Sequence, residues 1–153
     1  MARILTSQYG VRDDTVFVVF DIEGVGNVSK PKECRLWNLS ACLMGHPHHN
    51  IDLYVHPAVG ELPPKSEGFP TITTQELDEL GATTLCAAFD EFMEWLTNLK
   101  TNADTSVIMC SHGCFRYDKI LLEHEMMRNG LHFPPEVYFF DTLVTTLDFS
   151  GSS

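Results

Sequence analysis

The sequence has 153 residues, of which 44% are hydrophobic, and its 21 acidic and 10 basic side chains give a net charge of −11. This length and apolar fraction are sufficient for one domain with its own core. The negative charge argues against broad, nonspecific binding of nucleic acid, although a narrow cleft in which metal ions supply positive charge is compatible with it. No apolar run approaches the roughly 18 residues of a membrane span, and the amino terminus lacks the apolar segment of a signal peptide. We therefore expect an intracellular protein, nuclear or cytoplasmic, that is not secreted and not bound to a membrane.

The cysteines predict no disulfide framework. There are five of them, an odd number, and no two form a Cys-x-x-Cys pair. Cys42, Cys86 and Cys110 lie in apolar sequence surroundings. We expect these three to be small buried hydrophobes.

Residues 1–15 are expected to be a loosely attached lead-in to a strand at residues 16–22. This strand is a nearly continuous run of β-branched and aromatic residues, which is typical of a strand buried on both faces. At its end Asp21 and Glu23 should share a face, because alternate residues of a strand point the same way. Two adjacent carboxylates repel each other unless a cation lies between them, and hard oxygen ligands suit Mg²⁺ or Mn²⁺. A simple acidic turn is the alternative that this segment leaves open.

Two further strands are expected to complete an antiparallel meander. One covers residues 34–44, and the other covers residues 51–56, where apolar and polar residues alternate. His46, His48 and His49 lie between them and could form a metal cluster. We favour a polar hairpin tip beside a proline, because no second set of ligands is near in sequence.

The second half of the chain alternates helices with strands, which implies parallel pairing of the strands. A loop rich in Pro and Gly is expected at residues 57–70. The predicted helices cover residues 74–81, 84–99, 116–129 and 142–149, and the predicted strands cover residues 106–110 and 137–140. The residues expected on the inner face of the third helix are Tyr117, Ile120, His124 and Met127. Asp141 is expected to cap the last helix. The predicted fold class is α/β, with a mixed sheet in which a three-stranded antiparallel meander continues into parallel strands flanked by helices.

Asp118 is a further candidate ligand. Ligands of a parallel sheet gather beyond the carboxyl ends of its strands. Asp118 follows the strand that ends at Cys110 and lies one turn into the next helix, so it should face Asp21 and Glu23 if the two strands are neighbours. A lone Asp at this position is explained by the helix dipole, whereas three converging carboxylates have few structural reasons to exist without a cation.

Three segments together resemble the DEDD-type 3′–5′ exonucleases, whose fold is ribonuclease H-like. Residues 20–23, Phe-Asp-Ile-Glu, look like the first motif of that family. Residues 111–122, from Ser-His-Gly to Tyr-Asp-Lys-Ile-Leu-Leu, are similar to its second motif. Residues 139–143, Phe-Phe-Asp-Thr-Leu, resemble the strand and turn that follow. The likeness extends over residues 16–149.

The resemblance implies hydrolysis of phosphodiester bonds in DNA or RNA by a two-metal mechanism, and we expect the bound 3′ end to be single-stranded. Asp21 would bridge two Mg²⁺ or Mn²⁺ ions, Glu23 would hold the ion that activates water, and Asp118 would support the second ion. Gly24 would let the terminal nucleotide approach the backbone. His112 and Tyr117 would line the nucleic-acid cleft, although ordinary packing explains both equally well.

The chain departs from the family pattern in two respects. The turn after Glu23 reads Gly-Val-Gly-Asn where the family usually has threonines. The third motif, a His or Tyr followed by a fourth carboxylate, is missing, since the last histidine is His132 and Asp148 lies too close to the preceding strand. We therefore expect an exonuclease-like domain at residues 16–149 that is truncated at its C-terminus and inactive or weakly active as it stands.

Two alternatives to the nuclease remain open. One is a non-catalytic, exonuclease-like module that binds nucleic acid or a protein partner, which the missing motif and the acidic surface favour. The other is a structural zinc protein that uses Cys110, His112 and Cys114, for which no fourth ligand is evident.

Overall fold

The computed structural model describes residues 14–26, 29–30, 33–57 and 72–143. Most of the predicted lead-in, of the loop at 57–70 and of the final helix, with Asp148, lies outside these residues. The strands are β1 (Thr15–Val25), β2 (Arg35–Leu43), β3 (His46–Tyr54), β4 (Ser106–Ser111) and β5 (Val137–Asp141). The helices are α1 (Thr74–Glu79), α2 (Leu85–Leu99) and α3 (Asp118–Arg128). None of these three helices is long and apolar enough to cross a membrane.

The five strands form one mixed sheet in the order β3-β2-β1-β4-β5. The pairs β3–β2 and β2–β1 are antiparallel, and the pairs β1–β4 and β4–β5 are parallel. Helix α2 precedes β4 and helix α3 connects β4 to β5, which is the crossover that parallel neighbours require. The predicted α/β fold class is confirmed.

Strand β1 is buried on one face only, so the prediction of burial on both faces is wrong for it. Phe20 and Ile22 are each 3% exposed and belong to the same core cluster as the buried residues of α2 and α3. Val19 and Asp21 are exposed, and Glu23 is half-buried. We call the sheet face that carries Val19, Asp21 and Glu23 the open face, and the side covered by α2 and α3 the core face.

Helix α2 packs on the core face through the apolar stripe that its sequence predicts. The side chain of Thr84 caps the helix by accepting a hydrogen bond from the amide of Ala87. Phe89, Phe92 and Leu96 are buried, and the rings of Phe89 and Phe92 contact Phe133 edge-on. These contacts fix the connection between α3 and β5 against α2.

The predicted inner face of α3 is wrong. Met127 is 72% exposed, whereas the buried residues of this helix are Asp118, Leu121, Leu122, Glu125 and Met126. The prediction from apolar spacing failed because two of the buried residues are acids, and acidic side chains are expected on the outside of a protein. Glu125 is compensated by a 2.6 Å contact with Arg128.

The predicted turn at the histidines is also wrong, because these residues belong to β3. The chain reverses at Met44 and Gly45, where Gly45 has a φ of +80° that suits glycine. His46 and Asn50 then pair with β2, and the three histidines of this segment are exposed.

The cysteines are free, as expected, but their burial differs from the prediction. Cys110 is buried, whereas Cys42 is half-buried and Cys86 is exposed. The other two, Cys34 and Cys114, are buried. Cys86 is exposed because it lies on the outer side of α2, beside the buried Leu85.

Gly24 allows α3 to lie close to the end of β1. A Cβ atom at this position would lie 2.2 Å from Cδ2 of Leu121, 2.9 Å from the carbonyl oxygen of Arg35 and 3.3 Å from the hydroxyl of Tyr117. Protein atoms therefore fill the space that a side chain would need. A role of Gly24 in the approach of a nucleotide stays a prediction.

We predict that Gly24→Ala destabilises the protein by about 1–3 kcal/mol, since the new methyl group overlaps both a side chain and a backbone carbonyl. Val19→Ala is the matched control, because Val19 is 40% exposed on the same strand and should change the free energy of unfolding by only about 0.5 kcal/mol. Urea unfolding measures both. Equal stability of the two variants would contradict this packing of α3.

Candidate active site

The structure brings Asp21, Glu23 and Asp118 to the same edge of the sheet. Asp21 and Glu23 lie near the carboxyl end of β1, and Asp118 begins α3, which follows β4. Strands β1 and β4 are direct parallel neighbours, with Val19 opposite Cys110. The arrangement is the one expected of a ligand site at the carboxyl ends of parallel strands.

Asp118 is buried, at 6% exposure, and is held in a fixed orientation. Its Oδ2 accepts a 2.6 Å hydrogen bond from the hydroxyl of Ser111, the last residue of β4. Burial raises the pKa of Asp118 above its ordinary value of 3.8, and the hydrogen bond from Ser111 lowers it in part. The negative charges of Asp21, Asp141 and Glu23 raise the pKa further. These carboxylates are thus close enough to oppose the ionisation of Asp118.

Glu23 and Tyr117 show the same electrostatic coupling. Burial, and then the charge of Asp21, raises the pKa of Glu23 above 4.5. Burial also raises the pKa of Tyr117 above 10, with smaller contributions from the charges of Cys34, Glu23 and Asp118. The charges of Glu23 and Asp118 thus both oppose the ionisation of Tyr117.

Asp141 supports the candidate site, although its place in the sequence predicts only a helix cap. Its Oδ1 accepts hydrogen bonds from the amides of Gly113 and Leu143, and its Oδ2 accepts one from the amide of Phe115, each at 2.9 Å. The bond from Leu143 agrees with the predicted cap. The other two bonds hold the turn between β4 and α3, the segment that delivers Asp118. Hydrogen bonds to backbone amides leave no pattern in the sequence. The position of Asp141 directly after a predicted strand is the one sequence feature that places it near the candidate site.

His112 projects outward and does not join the acids in the described structure. It is exposed, and its Nδ1 lies 3.2 Å from the hydroxyl of Thr142. Its role in lining a nucleic-acid cleft, like those of Gly24 and Tyr117, stays a prediction.

Within the described ranges, no group of three or more His, Cys, Asp or Glu side chains is placed so that it could hold a metal ion. The hypothesis of a zinc site at Cys110, His112 and Cys114 is weakened further by the thiols. Burial, the largest cause in each case, raises the pKa of both Cys110 and Cys114 to about 11. Zinc binds the thiolate, so such thiols are poor ligands.

The chemistry of Asp21, Glu23 and Asp118 nevertheless fits a hard divalent cation. All three offer carboxylate oxygens, which Mg²⁺ and Mn²⁺ prefer. In the described part of the chain, the side-chain charges that shift the pKa of Asp118 are all negative. A cation at this edge would relieve that repulsion and favour the ionised form of Asp118.

No family model matches the sequence, and no curated protein matches it. The fold does match solved structures. The nuclease domain of 3′hExo, described as a DEDDh family member and bound to rAMP, superposes with a TM-score of 0.59 at 16% identity, over 78% of this chain and 62% of that one. Exonuclease I of E. coli, in complex with a 5cy-dA13 oligonucleotide, superposes with a TM-score of 0.59 at 17% identity, over 89% of this chain and 30% of that one.

Cell-death related nuclease 4 (CRN-4) superposes with a TM-score of 0.50 at 14% identity, over 78% of this chain and 42% of that one. The chain thus spans less than two thirds of the length of each of these three proteins. At these identities the likeness shows the fold, which agrees with the strand order and the parallel β1–β4 and β4–β5 pairs. The chain has the ribonuclease H-like fold of the DEDD-type 3′–5′ exonucleases.

Proposed function

We propose that the chain is a 3′–5′ exonuclease-type domain that hydrolyses phosphodiester bonds of DNA or RNA with the help of Mg²⁺ or Mn²⁺. The observation that carries this proposal is the buried Asp118 at the edge where β1 and β4 end, whose ionisation is opposed first by burial and then by the charges of Asp21, Asp141 and Glu23. Carboxylates that oppose the ionisation of a buried Asp118 are an unfavourable arrangement for a structural purpose. They are an appropriate one for binding a divalent cation.

Asp21, Glu23 and Asp118 would hold the ions. When bound, two such ions would activate a water molecule and stabilise negative charge on the attacking and leaving oxygens. Ser111 keeps one oxygen of Asp118 occupied by a hydrogen bond, so that the other oxygen remains available. Asp141 holds the preceding turn, and Gly24 allows α3 to approach β1. The chain's own residues thus position the acids before any ion is present.

The substrate that fits best is the 3′ end of a single strand. Exonuclease I, a structural neighbour, was solved with single-stranded DNA, and another neighbour, 3′hExo, was solved with rAMP. The net charge of −11 repels phosphates, so binding would depend on the metal ions and on uncharged contacts rather than on a basic groove.

We predict that the chain, with Mn²⁺ or Mg²⁺, slowly shortens a 5′-labelled single strand from its 3′ end, in keeping with the weak activity expected from its sequence, and that Asp21→Asn lowers this rate to background. Asp90→Asn is the matched control, because it removes the same charge from an exposed position of α2. Product ladders on a denaturing gel measure the rates. Equal rates for the two variants would contradict the proposal. A chain that binds the strand without shortening it would favour the non-catalytic module.

We predict that Asp118→Asn raises the melting temperature at pH 7 in the absence of divalent ions. The folded state raises the pKa of Asp118 above 3.8, so the ionised carboxylate destabilises the fold as the pH rises through that folded pKa. Below the unfolded pKa both states are protonated, and the advantage of the variant should disappear. Melting curves across this pH range test the sign, and a lower melting temperature at pH 7 would show that the charge is stabilised instead.

The same variant should abolish the stabilisation of the unaltered protein by Mn²⁺, since a ligand that binds only the folded state raises the melting temperature. An equal increase in both proteins would place the ion elsewhere.

We predict that Ser111→Ala shifts the midpoint of pH-dependent Mn²⁺ binding upward. The lost hydrogen bond lowers the pKa of Asp118 in the unaltered protein, and hydrogen bonds to charged groups are worth about 1.5–3 kcal/mol. Ser40→Ala is the control, because it removes a hydroxyl–carboxylate bond from Asp52 instead. Calorimetric titration at several pH values gives the midpoints, and a shift shared by both variants would exclude a specific role of Ser111.

A further inference from the structure

We propose that Trp37 and Tyr54 form a stacking platform for a nucleobase of the bound strand, on the open face beside Asp21 and Glu23. This inference rests on the proposed function and deepens it, because it names a contact for the strand beyond its terminal nucleotide. It predicts affinity that comes from an uncharged ring rather than from phosphate.

The sheet register places the platform in line with the candidate active site. Glu23 lies opposite Asn38, and Asn38 lies opposite Tyr54. Residues directly opposite in antiparallel strands share a face, so Tyr54 is on the open face, two strand spacings or about 9.5 Å from the backbone of Glu23. A strand held at the acids can therefore pass over Tyr54.

Trp37 joins this face through an irregularity of β2. Glu23 pairs with Asn38 and Gly24 pairs with Leu36, so Trp37 is the extra residue of a β-bulge. Its ring is stacked on Tyr54, with centroids 6.5 Å apart and planes inclined by 20°. A bulge next to an active-site strand commonly redirects a side chain, and here it adds a second aromatic ring to Tyr54.

A network of hydrogen bonds holds Tyr54 in place. Its hydroxyl donates to Oδ2 of Asp52 at 3.1 Å, while Oδ1 accepts from Asn38 and from Ser40, both at 2.6 Å. Burial acts to raise the pKa of Asp52, but these three bonds lower it overall. Asp52 is thus ionised and occupied by donors, and the ring of Tyr54 is pre-organised.

The chemistry of this surface favours a base over a phosphate. The ionised Asp52 beside the rings and the net charge of −11 repel phosphate groups. Aromatic faces that accept any base are the usual source of affinity for single strands. Trp37 and Tyr54 are both half-buried, and the indole Nε1 of Trp37 is itself buried.

The test combines variants of Tyr54 with oligonucleotides that lack one base, so that the ring and the base are removed separately and together. All proteins keep the three acids, the labelled oligothymidylate carries phosphorothioate linkages at its 3′ end so that it resists shortening, and affinity is measured by fluorescence anisotropy with Mg²⁺. Tyr54→Leu keeps the apolar bulk but removes the aromatic face, whereas Tyr54→Phe keeps the face and removes the hydroxyl. The oligonucleotide is either complete or abasic at one of the positions next to its 3′ end.

We expect Tyr54→Leu to weaken binding of the complete oligonucleotide about ten-fold. The same variant should leave the binding of one of the abasic oligonucleotides unchanged. Tyr54→Phe should bind the complete oligonucleotide with nearly the affinity of the unaltered protein. The loss should persist at higher salt, because stacking releases no counterions. The inference would be overturned if removal of a base weakened binding equally in the protein with Tyr54 and in the Tyr54→Leu variant, at every tested position of the oligonucleotide. Failure of the unaltered chain to shorten any strand would instead refute the proposed function.

A second measurement does not depend on a variant of Tyr54. The chain has two tryptophans, and Trp95 stacks on Phe92 of the core. In a Trp95→Phe protein, the fluorescence of Trp37 should be quenched by the complete oligonucleotide and less so by the abasic one. Equal quenching by both would also overturn the inference.

Discussion

The candidate metal site is defined by the repulsion between Asp118 and the acids of β1. Asp118 is buried at the start of α3, and its pKa is raised by burial and by neighbouring carboxylates. The hydrogen bond from Ser111 offsets part of this cost, while the charge of Asp141 adds to it. Strain of this kind is characteristic of functional sites, where a ligand rather than the protein provides the compensating charge.

The position of Asp118 follows from the packing of α3 on the sheet. Leu121 occupies the space above Gly24, and Leu122 and Met126 are buried in the same cluster as Phe20 and Ile22. Because β1 and β4 are parallel neighbours, the helix that follows β4 starts beside the acids of β1. The packing of the core therefore places the three carboxylates at the same edge of the sheet.

Much of the fold could be predicted from the sequence because its elements carry strong local signals. The meander, the apolar stripe of α2 and the strands around residues 106–111 and 137–141 all have clear periodicity or buried composition. The inner face of α3 could not be predicted, because two of its buried residues are acids whose partners are distant in sequence. The start of β3 was missed because polar histidines there form an exposed strand.

The site was predicted in the same uneven way. Motif and spacing predict the three acids as ligands, and the structure brings them to one edge of the sheet; their role as ligands stays a prediction. The supporting contacts of Asp141 with Gly113 and Phe115 run between a side chain and backbone amides, which no residue pattern reveals. The stack of Trp37 on Tyr54 depends on a β-bulge, and the register shift that creates it is a property of the paired strands.

The titration of the Asp118 carboxyl group by ¹³C NMR, without and with Mg²⁺, tests the central claim most directly. We predict that the pKa of Asp118 is above its ordinary value of 3.8 in the metal-free protein. The pKa should decrease clearly when Mg²⁺ is added, since a bound cation favours the carboxylate. A pKa that is the same with and without saturating Mg²⁺ would contradict it.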